Sequence, residues 1–116
     1  MSFDIPDIKG LPDHLEEMFS AAYFITHIAN ELDELKKDKP EGSQLLVIMQ
    51  TPEGDFMRVL MIKPLGFQCF SAIGKVGGLP RAVIGHIASL SLSCTFETLN
   101  GESEQMEEIQ FPESVH

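Results

Sequence analysis

"QLLVIMQTPEGDFMRVLMIK", residues 44–63, is the stretch on which the fold turns. Two apolar runs flank a turn that carries Pro52 and Gly54, the pattern of an antiparallel hairpin. Successive residues of a strand point to opposite faces. Strict alternation therefore sets Phe56, Leu60 and Ile62 beside Arg58, and Met57, Val59 and Met61 beside Lys63. The first run is apolar on both faces as well. An antiparallel sheet with one wet face alternates more cleanly. The spacing thus predicts that both faces of the hairpin are covered, by an arm, by a helix or by another copy of the chain.

Upstream of the hairpin, Leu15, Met18, Phe19, Ala22, Ile25, Ala29 and Leu32 recur every three or four residues. Phe24, Ile28 and Leu35 widen the stripe. This is the signature of an amphipathic helix, running from Pro12 or Asp13 to Lys37 and stopped by "KPEG", residues 39–42. Downstream, "FQCFSAI" (residues 67–73) reads as a third strand. The glycine-rich "GKVGGLPR" (residues 74–81) reads as a corner leading into a second helix, from Leu79 or Pro80 to Leu90. In "SLSCTFET" (residues 91–98), Leu92, Cys94 and Phe96 alternate with Ser91, Ser93, Thr95 and Glu97, a fourth strand with one exposed face.

The expected fold is α+β: an antiparallel sheet of about four strands, in the order helix, three strands, helix, strand, with one long helix packed on it. One domain spans residues 1–99 and begins with an irregular arm, residues 1–12. Residues 100–116 form an acidic tail, with Met106, Ile109 and Phe111 as anchors if it is held. The order and the acidity are similar, at the level of architecture, to small dimeric secretion chaperones.

A chain of 116 residues buries roughly two thirds of its unfolded surface, enough for one core without staples. The net charge of −10 argues against nucleic acid and anionic membranes as partners. Acids dominate residues 1–40 and 101–116, while residues 41–100 are neutral, so a basic partner would meet the ends. No apolar run approaches the about 20 residues that a membrane-spanning helix needs. Two cysteines, Cys69 and Cys94, and an acidic N-terminal stretch without a signal pattern imply a cytoplasmic protein with reduced thiols.

Little of the sequence carries catalytic chemistry. The glycine loop could hold an anion through Lys75, Gly77, Gly78 and Arg81, because free N–H groups before a helix attract negative charge. It matches neither the nucleotide-binding P-loop nor the dinucleotide fingerprint. The histidines His14, His27, His86 and His116 show no metal-ligand spacing, and the cysteines no zinc pairing, so neither metal nor cofactor is expected. A Cys69–His86 nucleophile pair has the right residue types, although spacing alone cannot bring them together. The methionines of the hairpin suit a binding surface.

The expectation is a non-catalytic acidic interaction protein: an adaptor, a chaperone-like binder or an inhibitor. It would act as a homodimer or higher homo-oligomer on a basic or amphipathic partner, through Met57, Val59, Met61, Glu107, Glu108 and Phe111. The alternative is a small anionic-ligand binder or small enzyme using the loop of residues 74–78.

Overall fold

The computed structural model describes residues 20–100 and 107–112. Among them, one helix, α1 (Ala21–Lys36), is followed by strands β1 (Ser43–Gln50), β2 (Phe56–Leu65), β3 (Cys69–Val76), β4 (Leu79–His86) and β5 (Ser93–Thr98). The strands form one antiparallel sheet in the order β4-β3-β2-β1-β5. The fold is α+β, with five strands rather than four. The arm expected over residues 1–12, and most of the tail, lie outside the described residues.

The helix begins later than its apolar stripe suggests. Ser20 is extended (φ −79°, ψ 152°), and its hydroxyl accepts the Tyr23 N–H at 3.1 Å, a side-chain cap on a free helical donor. The Ala21 N–H is satisfied by the Phe67 carbonyl at 2.6 Å, which ties the helix start to the β2–β3 turn. A helix running unbroken from Pro12 or Asp13 is therefore ruled out at Ser20. Ala21, Ile25, Ala29 and Leu32 form its buried stripe, and Phe24, on its flank, is exposed.

The second expected helix is a strand. Gly77 and Gly78 take φ +56° and +83°, the pair of positive values that a two-residue hairpin turn needs. The chain reverses there, with Val76 opposite Leu79, and β4 pairs with β3 along its whole length. Pro80 has no N–H to give to a ladder and is accommodated at the sheet's edge. Helix remains only as the three-residue 3-10 turn Ile87–Ser89. With it goes the helix–strand order that resembled secretion chaperones.

One face of the sheet carries Leu45, Val47, Met49, Met57, Val59, Ile62, Phe70, Ala72 and Val83, which join the buried stripe of α1 in a single core. The connection of residues 87–92 runs from one edge strand to the other and lays Ile87, Leu90 and Leu92 against this core. Strict alternation along β2 fails at one point. The pairing of β2 with β3 shifts between Val59 and Met61, so Leu60 is a bulge. An extra residue reverses the parity of everything after it. Ile62, not Met61, follows Met57 and Val59 into the core, and Met61 turns outward with Arg58 and Lys63. The doubly apolar pattern of this strand is thus resolved within the chain on its inner side.

The bulge depends on Gly74. A Cβ built there would lie 1.8 Å from the Arg58 carbonyl oxygen and 3.1 Å from the Val59 Cα. Only a residue without a side chain lets β2 approach β3 so closely at the kink.

Candidate functional site

Past the kink, β2 leaves β1. The two strands pair at Ile48↔Arg58, Met49↔Met57 and Gln50↔Phe56, and β1 pairs with β5 on its other side from Ser43 to Ile48. The opening between β1 and β2 receives residues 107–110. The Gln110 N–H donates to the Leu60 carbonyl, the bulge residue, at 2.8 Å, and Gln110 bridges Met61 in parallel. The Leu45 N–H donates to Glu108 Oε2 at 2.7 Å, and the Glu107 N–H donates to Gln44 Oε1 at 2.8 Å. Ile109 is 3% exposed and belongs to the core, with Phe111 packed at its margin.

The same segment answers a charge problem. Arg58 and Lys75 sit directly opposite each other on the outer face of β2 and β3. Like charges so placed destabilise a sheet. Arg58 Nη2 donates to Glu97 on β5 and, at 3.0 Å, to the Glu107 carbonyl. Lys75 Nζ donates to Glu107 Oε1 at 2.8 Å. Gln44 Nε2 donates to Glu97 Oε1 at 2.6 Å, so Glu97 and Gln44 join both halves of the cluster. Lys39 Nζ lies 3.8 Å from Glu108 Oε2, a third cation facing the segment.

The hydrogen bond from Lys75 holds the Glu107 carboxyl below the ordinary glutamate value, with the Lys75 charge next in weight and a smaller pull from Arg58, against a modest opposing effect of burial. A carboxyl whose pKa is lowered by folding stabilises the fold fully above its unfolded pKa, and that contribution is lost as pH falls through the folded value. The segment is therefore expected to stay docked at neutral pH and to detach in acid, below the range where a free glutamate titrates. Amide resonances of Gln110 and Leu45 followed against pH should report this, with the transition abolished in Glu107→Gln. Unchanged resonances of the native chain across the acid range would contradict it.

The structure separates the residues of the expected anion loop. Lys75 and Arg81 lie on opposite faces, since Arg81 pairs with Gly74, the neighbour of Lys75. Arg81 Nη2 reaches Glu53 Oε2 at 2.8 Å, and Nη1 lies 3.6 Å from Asp55 Oδ2 in the β1–β2 turn. Gly77 and Gly78 form a hairpin tip with no helix behind it. Of the expected partner-binding residues, Met57 and Val59 are 0% and 1% exposed and cannot touch another molecule. Met61 is outward and half-buried. Glu107, Glu108 and Phe111 belong to the docked segment. Arg58, Gln44, Glu97 and Lys39 escaped the sequence reading; a lone arginine in an apolar strand was the available signal.

Beyond the charged row the outer face is mixed, with apolar side chains around an exposed Lys63, which stands opposite Ser71. Met61 and Ile73 are cross-strand neighbours, Ala82 continues their row on β4, and Ile84 stands diagonally from Ile73. Ile73, Leu65 and Ile84 are 40%, 43% and 65% exposed. On the other side of the charged row, Phe56 and Ile48 line a cleft of about 310 Å³ with Gln50, Ser89, Ser91 and Ser93. No acid, base or thiol lines it, so it offers hydroxyls but no group to activate them.

Cys69 and His86 are directly opposite on β3 and β4. However, His86 Nδ1 accepts the Ala88 N–H at 3.0 Å, and Nε2 lies 3.4 Å from Gln68 Oε1, so the imidazole serves the 3-10 turn rather than the thiol. Cys94 is on β5, with β2 and β1 lying between it and β3. Among the described residues no group of three His, Cys, Asp or Glu could hold a metal ion, and no helix is long and apolar enough to cross a membrane. The chain matches no protein-family model, no curated protein and no solved structure, and no relative lends it a function.

Proposed function

We propose that this protein is a non-catalytic interaction protein that associates with a second copy of itself through the outer face of β2, β3 and β4. The row of Met61, Ile73 and Ala82, with the exposed Ile73 and its diagonal neighbour Ile84, carries this reading, because it runs to an edge strand. Among the described residues β4 pairs with β3 alone, so its outer edge offers free N–H and C=O groups beside the apolar row. A two-fold axis near that edge would bury both rows at once. The acidic ends and the net charge of −10 suit a basic or amphipathic partner of the assembled protein. Two free cysteines on strands that do not adjoin fit a reducing, cytoplasmic setting.

Light scattering after size exclusion tests the association. The native chain should run at a multiple of 12.9 kDa. Replacing Ile73 and Ile84 by lysine removes no core contact and should return the mass to that of a single chain with an unchanged circular dichroism spectrum. A native chain that is monomeric at every concentration tested would end this reading.

A further inference from the structure

We propose that the opening between β1 and β2 is a recognition groove for an extended acidic–aliphatic peptide, and that residues 107–111 occupy it as an exchangeable ligand in cis. The groove lies beside the apolar outer row but does not include its edge strand, and it stands whether or not the protein self-associates.

Three features define what it accepts. The first is charge. Arg58 and Lys75 face each other across β2 and β3, and Lys39 lies at the far end, so the opening is lined by three cations in a chain of net charge −10. Glu107 and Glu108 complement them. The second is backbone. The Leu60 carbonyl and the Leu45 N–H are left without strand partners by the bulge, and they are satisfied by a backbone N–H and a carboxylate of the incoming segment. Main-chain pairing plus pockets for selected side chains is the physics of strand addition. The third is an apolar slot in the core, filled by Ile109. The groove thus selects Glu-Glu-aliphatic in extended form, with an aromatic two residues further on.

What makes the occupant exchangeable is how it is held. β3 and β4 pair at eight successive positions through their backbones, whereas the segment meets β2 at the Gln110–Met61 bridge and is held mainly through side chains, those of Gln44, Arg58, Lys75 and its own Glu108, with Ile109 set in the core. Its Lys75–Glu107 contact is over a third exposed on both sides, where water and salt weaken it. Elements held this way open at low free-energy cost compared with the body of a sheet. A segment tethered by a short linker competes at an effective concentration on the order of millimolar. An outside peptide is therefore excluded until the tether is weakened or the peptide binds better.

The test uses full-length protein and the fluorescent peptide Glu-Glu-Ile-Gln-Phe-Pro, the sequence of residues 107–112. Two variants weaken the segment differently: Glu107→Ala with Glu108→Ala, and Ile109→Asp. Both should bind the peptide at least about tenfold more tightly than the native chain, since the internal competitor is lost. Adding Lys75→Glu to the first variant should weaken binding about tenfold, and a peptide with lysine in its first position should restore it. Folded variants that bind no better than the native chain would overturn the proposal, as would indifference to the charge at residue 75. If both variants unfold, the segment is an integral strand and the proposal also fails.

Discussion

Gly74→Ala is expected to cost at least about 3 kcal/mol or to prevent folding outright, the largest effect of any exchange this small in the protein. The added methyl carbon would sit 1.8 Å from the Arg58 carbonyl oxygen and 2.8 Å from its carbon. Neither is the end of a flexible side chain. Relief requires moving the β2 backbone, and that undoes the bulge, the pairing with β3 and the opening that holds residues 107–110 together. Urea unfolding monitored by circular dichroism measures the loss. Gly85→Ala is the control: its methyl would meet the Phe70 ring and the Ser89 hydroxyl at 3.3 Å, contacts that small side-chain shifts can relieve. Equal costs for the two would show that the close approach at Gly74 is not what fixes the kink.

Phe70→Ala is expected to lose about 3–5 kcal/mol. Phe70 is the largest of the fully buried side chains among the described residues, 1% exposed. It stands on the inner face of β3 between Pro64 and Gly85, and the missing side chain at Gly85 makes room for its ring. Met49 and Val83 share with it the lining of a cleft of about 280 Å³, so the cavity left by truncation would adjoin existing empty space and would not collapse cheaply. The same urea titration reads the effect, and Phe70→Leu should recover about half of it. A cost below about 1 kcal/mol would mean that the core is not centred on this ring.

Much of the fold was legible. The hairpin of residues 44–63, the third strand and the last strand came from alternation and turn residues, and the helix from its apolar period. Two features were not. The bulge at Leu60 leaves no trace in composition, because Leu60 and Met61 are equally apolar and either could be the extra residue. Its one clue is Gly74, across the hairpin and meaningful only once β2 and β3 are paired. Residues 79–90 were misread because Pro80 opens helices and edge strands alike, and because a run such as Ala82–Ile87 fits both periods. The Gly77–Gly78 pair was the better guide, since two adjacent residues of positive φ make a hairpin rather than a helix start.

The site was half legible. Lys75 was singled out for an anion, and the anion it meets is Glu107 of its own chain. Ile109 and Phe111 were recognised as anchors, and Glu107 and Glu108 as interaction residues, yet the surface they engage belongs to the chain itself. Arg58 demanded a carboxylate, but Glu97 is 39 residues along the chain, and no local pattern connects the two. Contacts at that separation exist only after the sheet has formed.

The single surplus residue at position 60 works as a change of reading frame in the backbone. Upstream of it, odd-numbered residues of β2 face the core; downstream, even-numbered ones do. Straightening the bulge with all its residues kept would swing Lys63 toward the interior and Ile62 into water, as would an insertion or deletion elsewhere in β2, whereas loss of Leu60 itself leaves each later residue on its face and the turn at residues 51–55 can change length without inverting anything. Tolerance of insertions and deletions in this protein should therefore divide sharply at the end of that turn.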